Sequence, residues 1–289
     1  MSTSARADRR RLDRGGPERG QRSRSRTDRR RRRIPVVLLV PALLGLAFLT
    51  LPLAGLVIRA PWGTMPQRLA EPEVLDALRL SVVTATAATG LCLLLGIPLA
   101  WLLARVDFRG KGLVRALVTV PLVLPPVVGG VALLLVFGRN GLVGAPLHEA
   151  FGVSLPFTTA GVVAAMAFVA MPFLVVSVEG ALRGADVRYE EAAATLGAGR
   201  WSVFIHVTIP LVAPGIAAGA VLCWARALGE FGATITFAGN FPGRTQTMPL
   251  AVYLALETDL EAAIVLSLIL LAVSVTVLAC LRDRWTATP

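Results

Sequence analysis

DVRYEEAAATLGAGRWSVFIHVTIP, Asp186 to Pro210, is the polar interval whose reading decides the fold, because long apolar runs flank it at about 158–180 and 210–238. Asp186 can cap a short helix through Tyr189, Glu190, Glu191 and Ala192 to Ala194. Gly197-Ala198-Gly199 stops that helix before Arg200-Trp201 opens a second piece. The spacing thus predicts a helix-turn-helix finger set between two membrane spans. Its small alanines permit close approach by a partner, and Glu191 offers a carboxylate for a bidentate Arg contact.

Outward from the finger, further apolar runs lie at about 34–58, 77–104, 113–137 and 261–281. Several reach the roughly 20 residues that cross about 30 Å of hydrocarbon. With 55% hydrophobic residues, mean hydropathy +0.69 and 16% charged residues, the chain needs lipid as its solvent. The predicted fold class is therefore all-α integral membrane, with about six transmembrane helices in a single domain over 34–285. Pro121, Pro125, Pro126, Pro172 and Pro214 interrupt the ladders of three spans, where kinking is the plain reading. Gly215 and Gly219 form a G-x-x-x-G face that lets another helix come close.

The formal charge is +11, and residues 1–33 hold 14 Arg against Asp8, Asp13, Glu18 and Asp28, which places +10 of it in that tail. Rich in Arg, Ser and Gly, the tail is expected to be disordered and to lie against anionic lipid rather than bind nucleic acid. Six crossings put both termini on one side. The finger's side carries Arg105, Arg109, Lys111, Arg115, Arg183, Arg188 and Arg200, so both termini and the finger are expected in the cytoplasm, in a multi-pass protein of the cytoplasmic (inner) membrane. The run from Ile34 to Ile58 is too long for a signal peptide and is read as a span. Cys92, Cys223 and Cys280 lie in apolar stretches without metal-ligand spacing, so no metal is expected.

Glu191-Ala192-Ala193, Gly197 four residues later, and Val207-Thr208-Ile209-Pro210 together resemble the E-A-A-x3-G-x9-I-x-L-P signature of ABC-importer permeases, with Val207 and Ile209 as conservative replacements. The resemblance implies a type I ABC-importer permease fold, with a coupling loop over about 186–209 docking on a separate ATPase subunit. Glu190, Glu191, Ala192, Ala193, Gly197 and Pro210 are its candidate coupling residues. Hydrolysis is expected on that partner. Around the sole Lys111 a phosphate-binding loop would need a glycine at Arg105 and Ser or Thr at Gly112, and His148 and His206 stand alone. No catalytic residue and no cofactor of its own are expected, and the chain is read as a non-enzyme subunit.

Arg226 and Glu230 fall four residues apart on one helical face, where an unpaired charge is costly. A structural salt bridge and a place in a gate are equally open readings of that pair. The run Gly229-Glu230-Phe231-Gly232-Ala233-Thr234-Ile235-Thr236 offers backbone N–H and hydroxyl groups that could line a passage for an anion. Arg226, Gly229, Glu230, Phe231, Gly232, Thr234 and Thr236 are the candidate path residues. With Asn240-Phe241-Pro242-Gly243 and Met248-Pro249, this stretch is similar to molybdate permeases of the oxyanion-importer group, and somewhat less so to sulfate permeases. Pro125-Pro126-Val127-Val128-Gly129 fits the same group, and the resemblance covers about residues 77–281.

What this implies is a homodimer of permeases, two ATPase subunits, and an extracytoplasmic oxyanion-binding protein that delivers molybdate or tungstate by alternating access. Two alternatives stand beside it: a sulfate or thiosulfate permease, and a secondary transporter with Glu230 as its coupling acid. A membrane-anchored nucleic-acid binder working through residues 1–33 is a further reading.

Overall fold

The computed structural model describes residues 36–285. The expected disordered tail over 1–33 lies outside the described residues. In chain order the elements are α1 (Val36–Ile58), α2 (Met65–Leu69), α3 (Pro72–Arg105), α4 (Lys111–Val123), α5 (Pro126–Phe137), α6 (Gly144–Phe151) and α7 (Thr159–Gly184). They continue as α8 (Arg188–Thr195), α9 (Arg200–Val203), a π turn (Phe204–Thr208), α10 (Ile209–Leu228), α11 (Gly232–Ala238), α12 (Met248–Thr258) and α13 (Leu260–Trp285). Among the described residues, five helices are long and apolar enough to cross a membrane, and the count reaches six if the bent pair α4–α5 is one span. The fold is all-helical and membrane-spanning.

The chain divides into two units, Met1–Thr50 and Leu51–Pro289, with the boundary inside α1. Over its first half α1 exposes apolar side chains such as Val37, Leu44 and Phe48, as a helix solvated by lipid does. The Thr50 hydroxyl there donates to the carbonyl of Leu46 at 2.9 Å, so no donor is left facing hydrocarbon.

The core of the second unit is built by α3, α7 and α10, with Ala88, Cys92, Met166, Leu174, Val178 and Cys223 fully buried. Since lipid tails are as apolar as leucine, these helices are held by close packing of small residues. Gly215 sits against Ala181 and Gly219 against Ser177, whose hydroxyl donates to the Gly215 carbonyl at 3.3 Å. A methyl group on Gly219 would stand 2.9 Å from the Ser177 Cβ, so the G-x-x-x-G face serves α7–α10 packing as expected. On α3 the buried threonine hydroxyls turn onto their own helix: Thr84 donates to Leu80 at 2.7 Å and Thr89 to Ala85 at 2.8 Å.

Two of the expected spans are broken rather than continuous. The run 113–137 is bent far beyond a kink, with the chain turning by 120° between α4 and α5. Pro125 and Pro126 have no N–H for the carbonyls of Pro121 and Leu122, and Leu124, preceding a proline, is extended with φ −67° and ψ 129°. The run 210–238 ends at Leu228, and the separate short α11 follows it. The two short helices beyond these breaks pack on each other: Gly232 faces Pro126 and Val127, and Gly130 faces Ala233 and Thr236.

At the N-terminal end of α3, Arg68 reaches Asp259 at 2.7 Å and Glu261 at 3.4 Å. Asp259 also accepts from the N–H groups of Glu261 and Ala262 at 3.0 and 3.1 Å, capping α13. The Arg68 hydrogen bond, helped by the Ala262 N–H, holds the Asp259 carboxyl below the usual carboxylate range. Arg68 is raised in turn, chiefly by its hydrogen bond to Asp259.

Candidate functional site

The finger begins where the Asp186 carboxylate accepts from the N–H of Arg188 at 3.0 Å, two residues on, which releases the chain into α8. Glu190 and Glu191 occupy the first turn, where carboxylates complement the helix dipole. The far end closes as a Schellman motif, with Gly197 donating to Ala194 at 3.0 Å and Ala198 to Ala193 at 3.1 Å. Gly197 adopts φ +88°, which side chains resist, so glycine is required at this turn.

After α9 the helix widens into the π turn, and the N–H of Ile209 reaches five residues back to the Phe204 carbonyl. Pro210 follows at once and has no N–H to donate. The wider register thus falls where the helical ladder loses a donor in any case, and Pro210 itself is exposed at the start of α10.

The tandem glutamates point different ways. Glu190 pairs with Arg105 at the end of α3, Oε1 to Nη2 at 2.8 Å, with the two side chains 16% and 12% exposed. Glu191, Ala192 and Gly197 are exposed, and Ala193 is half-buried. Large apolar groups are exposed elsewhere on the finger: Leu196 is 89% exposed, Trp201 71% and Tyr189 61%. Trp201 stacks on Phe204 at 5.6 Å, which fixes its ring outside the bundle.

The candidate path residues gather around the break between α10 and α11. Arg226 Nη1 meets Glu230 Oε2 at 2.6 Å, and Glu230 Oε1 accepts from the N–H of Ala233 at 2.8 Å. Glu230 is buried, and both of its oxygens are used to fix this break. Gly229 is exposed, and Phe231 is half-buried against Tyr253, ring centroids 5.2 Å apart. Gly232 is buried against α5, and the Thr236 hydroxyl donates to the Gly232 carbonyl at 2.7 Å. Thr234 is fully buried, with a hydroxyl that meets no partner among the described residues.

A second ion cluster escaped the sequence reading. Glu179 Oε1, on α7, accepts from Arg115 on α4 at 2.6 Å and from Arg183 at 2.8 Å, and the Glu179 side chain is only 9% exposed. Its signal was available in part, since Glu179 is an acid at the end of a long apolar run with Arg183 four residues on.

Residues 96–286 match the family model described as binding-protein-dependent transport system inner membrane component. The molybdenum transport system permease protein ModB of Mycobacterium tuberculosis is 50% identical over 244 residues, covering 84% of this chain and 92% of that protein. The ModB protein of Escherichia coli K12 is 43% identical over 219 residues, covering 76% and 95%. The sulfate transport system permease protein CysT of the same strain is 36% identical over 234 residues, covering 80% and 84%. Among solved structures, a bacterial ABC transporter that imports the acidic polysaccharide alginate aligns with TM-score 0.69 at 18% identity, over 88% of this chain and 96% of that one. By sequence, then, the chain belongs to the family of inner membrane components of binding-protein-dependent transport systems.

Proposed function

We propose that this chain is the permease subunit of an ATP-binding-cassette importer that carries molybdate, or tungstate, into the cell by alternating access. The observation that carries the reading is the finger, a rigidly capped helix that presents Glu191, Leu196 and Trp201 outward. An apolar tip beside a free carboxylate fits a groove on a soluble partner that offers an arginine. The partner is an ATPase subunit, and hydrolysis takes place there. Two permease copies, two ATPase subunits and an extracytoplasmic oxyanion-binding protein complete the assembly, with both termini of this chain in the cytoplasm.

The oxyanion assignment is supported by relatives named for molybdenum transport at 43–50% identity, against 36% for the sulfate relative. Coupling of the finger to nucleotide closure would rock the helices and turn the path toward the binding protein. Glu191, Ala192, Ala193 and Gly197 act at the docking surface, and Glu190 and Pro210 set the finger's base. Arg226 and Glu230 hold the break that shapes the path, beside Gly229, Phe231, Gly232, Thr234 and Thr236.

The test is uptake of labelled oxyanions in cells lacking this subunit, lacking the ATPase subunit, or restored. Molybdate accumulation that needs both chains is the expected result. Restoration of sulfate rather than molybdate uptake overturns the substrate, and uptake that persists without the ATPase overturns the class.

A further inference from the structure

We propose that Arg105 is the positioning residue that makes α3 follow the finger, with Glu190 as its partner, a division of labour in which Glu191 is left for the docking surface. The inference rests on the coupling role proposed above. Arg105 is the last residue of α3, where a cation complements the helix dipole, and Glu190 lies in the first turn of α8, where an anion does so. Their 2.8 Å contact bridges two helix ends of opposite polarity, and both side chains are largely withdrawn from water. A pair so shielded is worth more than an exposed one, which adds little.

Packing alone does not tie the finger to α3. A cavity of about 300 Å³, lined by Trp101, Glu190, Ala194, Ala198, Arg200 and Phe204, separates the α3 flank from the finger. Across it the ion pair stands beside an edge contact at the finger's base, Trp101 to Phe204 at 6.0 Å between ring centroids. Within the finger, α8 packs on α9 and the π turn, whereas α3 packs along α7 and α10 through the buried core. A push on α8 therefore enters the core by two routes: along the backbone into α10, and through Glu190 and Arg105 into α3. Without the second route α8 can swing into the cavity while α3 stays in place.

The experiment uses the complete complex in proteoliposomes, with this chain, its ATPase subunit and its binding protein, and reads molybdate moved per ATP hydrolysed. Arg105→Glu and Glu190→Arg alone are expected to lower that ratio about threefold or more, in the range that residues along a coupling route produce. The double reversal is expected to restore it, and Arg105→Lys to keep most of it, while ATP hydrolysis continues in every variant. A merely structural role would lower expression or melting temperature and leave the ratio alone. Where a reversal does not assemble, Arg105→Gln and Glu190→Gln take its place, being neutral and similar in size. Single variants with the wild-type ratio overturn the inference, as does a double reversal no better than the worse single. A wild-type complex without ATP-driven uptake removes the proposed function first and this inference with it.

Discussion

At Glu230 both carboxylate oxygens are engaged, one by Arg226 and one by the Ala233 N–H, and the side chain is only 1% exposed. Removing the guanidinium leaves a buried charge half satisfied. Arg226→Gln is expected to destabilise the purified protein by about 3 kcal/mol, the low end for a broken buried pair because Arg226 keeps 28% of its exposure. Thermal unfolding in detergent reads this, and an unchanged midpoint would refute the structural role assigned to the pair. The Arg68–Asp259 contact behaves differently, being open to solvent. Because the folded Asp259 pKa lies below its unfolded value of about 3.9, its contribution is present in full at neutral pH and is lost as pH falls through the folded value. Asp259→Asn should therefore melt below wild type at pH 7 and converge with it in strong acid; parallel curves at both pH values would contradict this. Four-residue spacing made the Arg226–Glu230 pair legible in advance. Arg105 and Glu190 stand 85 positions apart, and no spacing rule foretells such a contact.

Helix boundaries were legible where charge and glycine mark them, as at Asp186 and Gly197, and poorly legible inside the apolar runs. Hydropathy sums over a window and is blind to direction, so Leu124-Pro125-Pro126 and Gly229-Glu230 read as parts of continuous spans although the chain turns at both. The prolines were noticed as kinks, but a 120° change needs the facing short helix to shelter it, which only tertiary contact reveals. That shelter is tight. A methyl group on Gly130 would lie 2.7 Å from the Thr236 Cβ and 2.9 Å from the Ala233 carbonyl oxygen, and backbone yields poorly. Gly130→Ala is expected to cost about 1–3 kcal/mol by overpacking. Gly90→Ala, in the middle of α3 with nothing within 4 Å of the new methyl, is expected to be neutral or to gain up to about 1 kcal/mol of helix propensity. Comparable losses in the two variants would show that the α5–α11 contact is not what limits Gly130.

Across the whole molecule, the finger lies at one end of the bundle and the Arg68–Asp259–Glu261 cluster at the other end of α3. In a background without native cysteines, Leu196→Cys should react with a membrane-impermeant maleimide only in opened cells, and Phe241→Cys in intact ones. The reverse pattern would invert the proposed orientation. The two broken helices meet in one seam, walled by Phe237, Leu133, Val169 and the neighbouring Phe137 and Phe168. With the Phe237 ring wholly enclosed there and Gly130 and Gly232 pressed against the facing backbone, neither short helix can slide without carrying the other, so the seam transmits displacement as one piece.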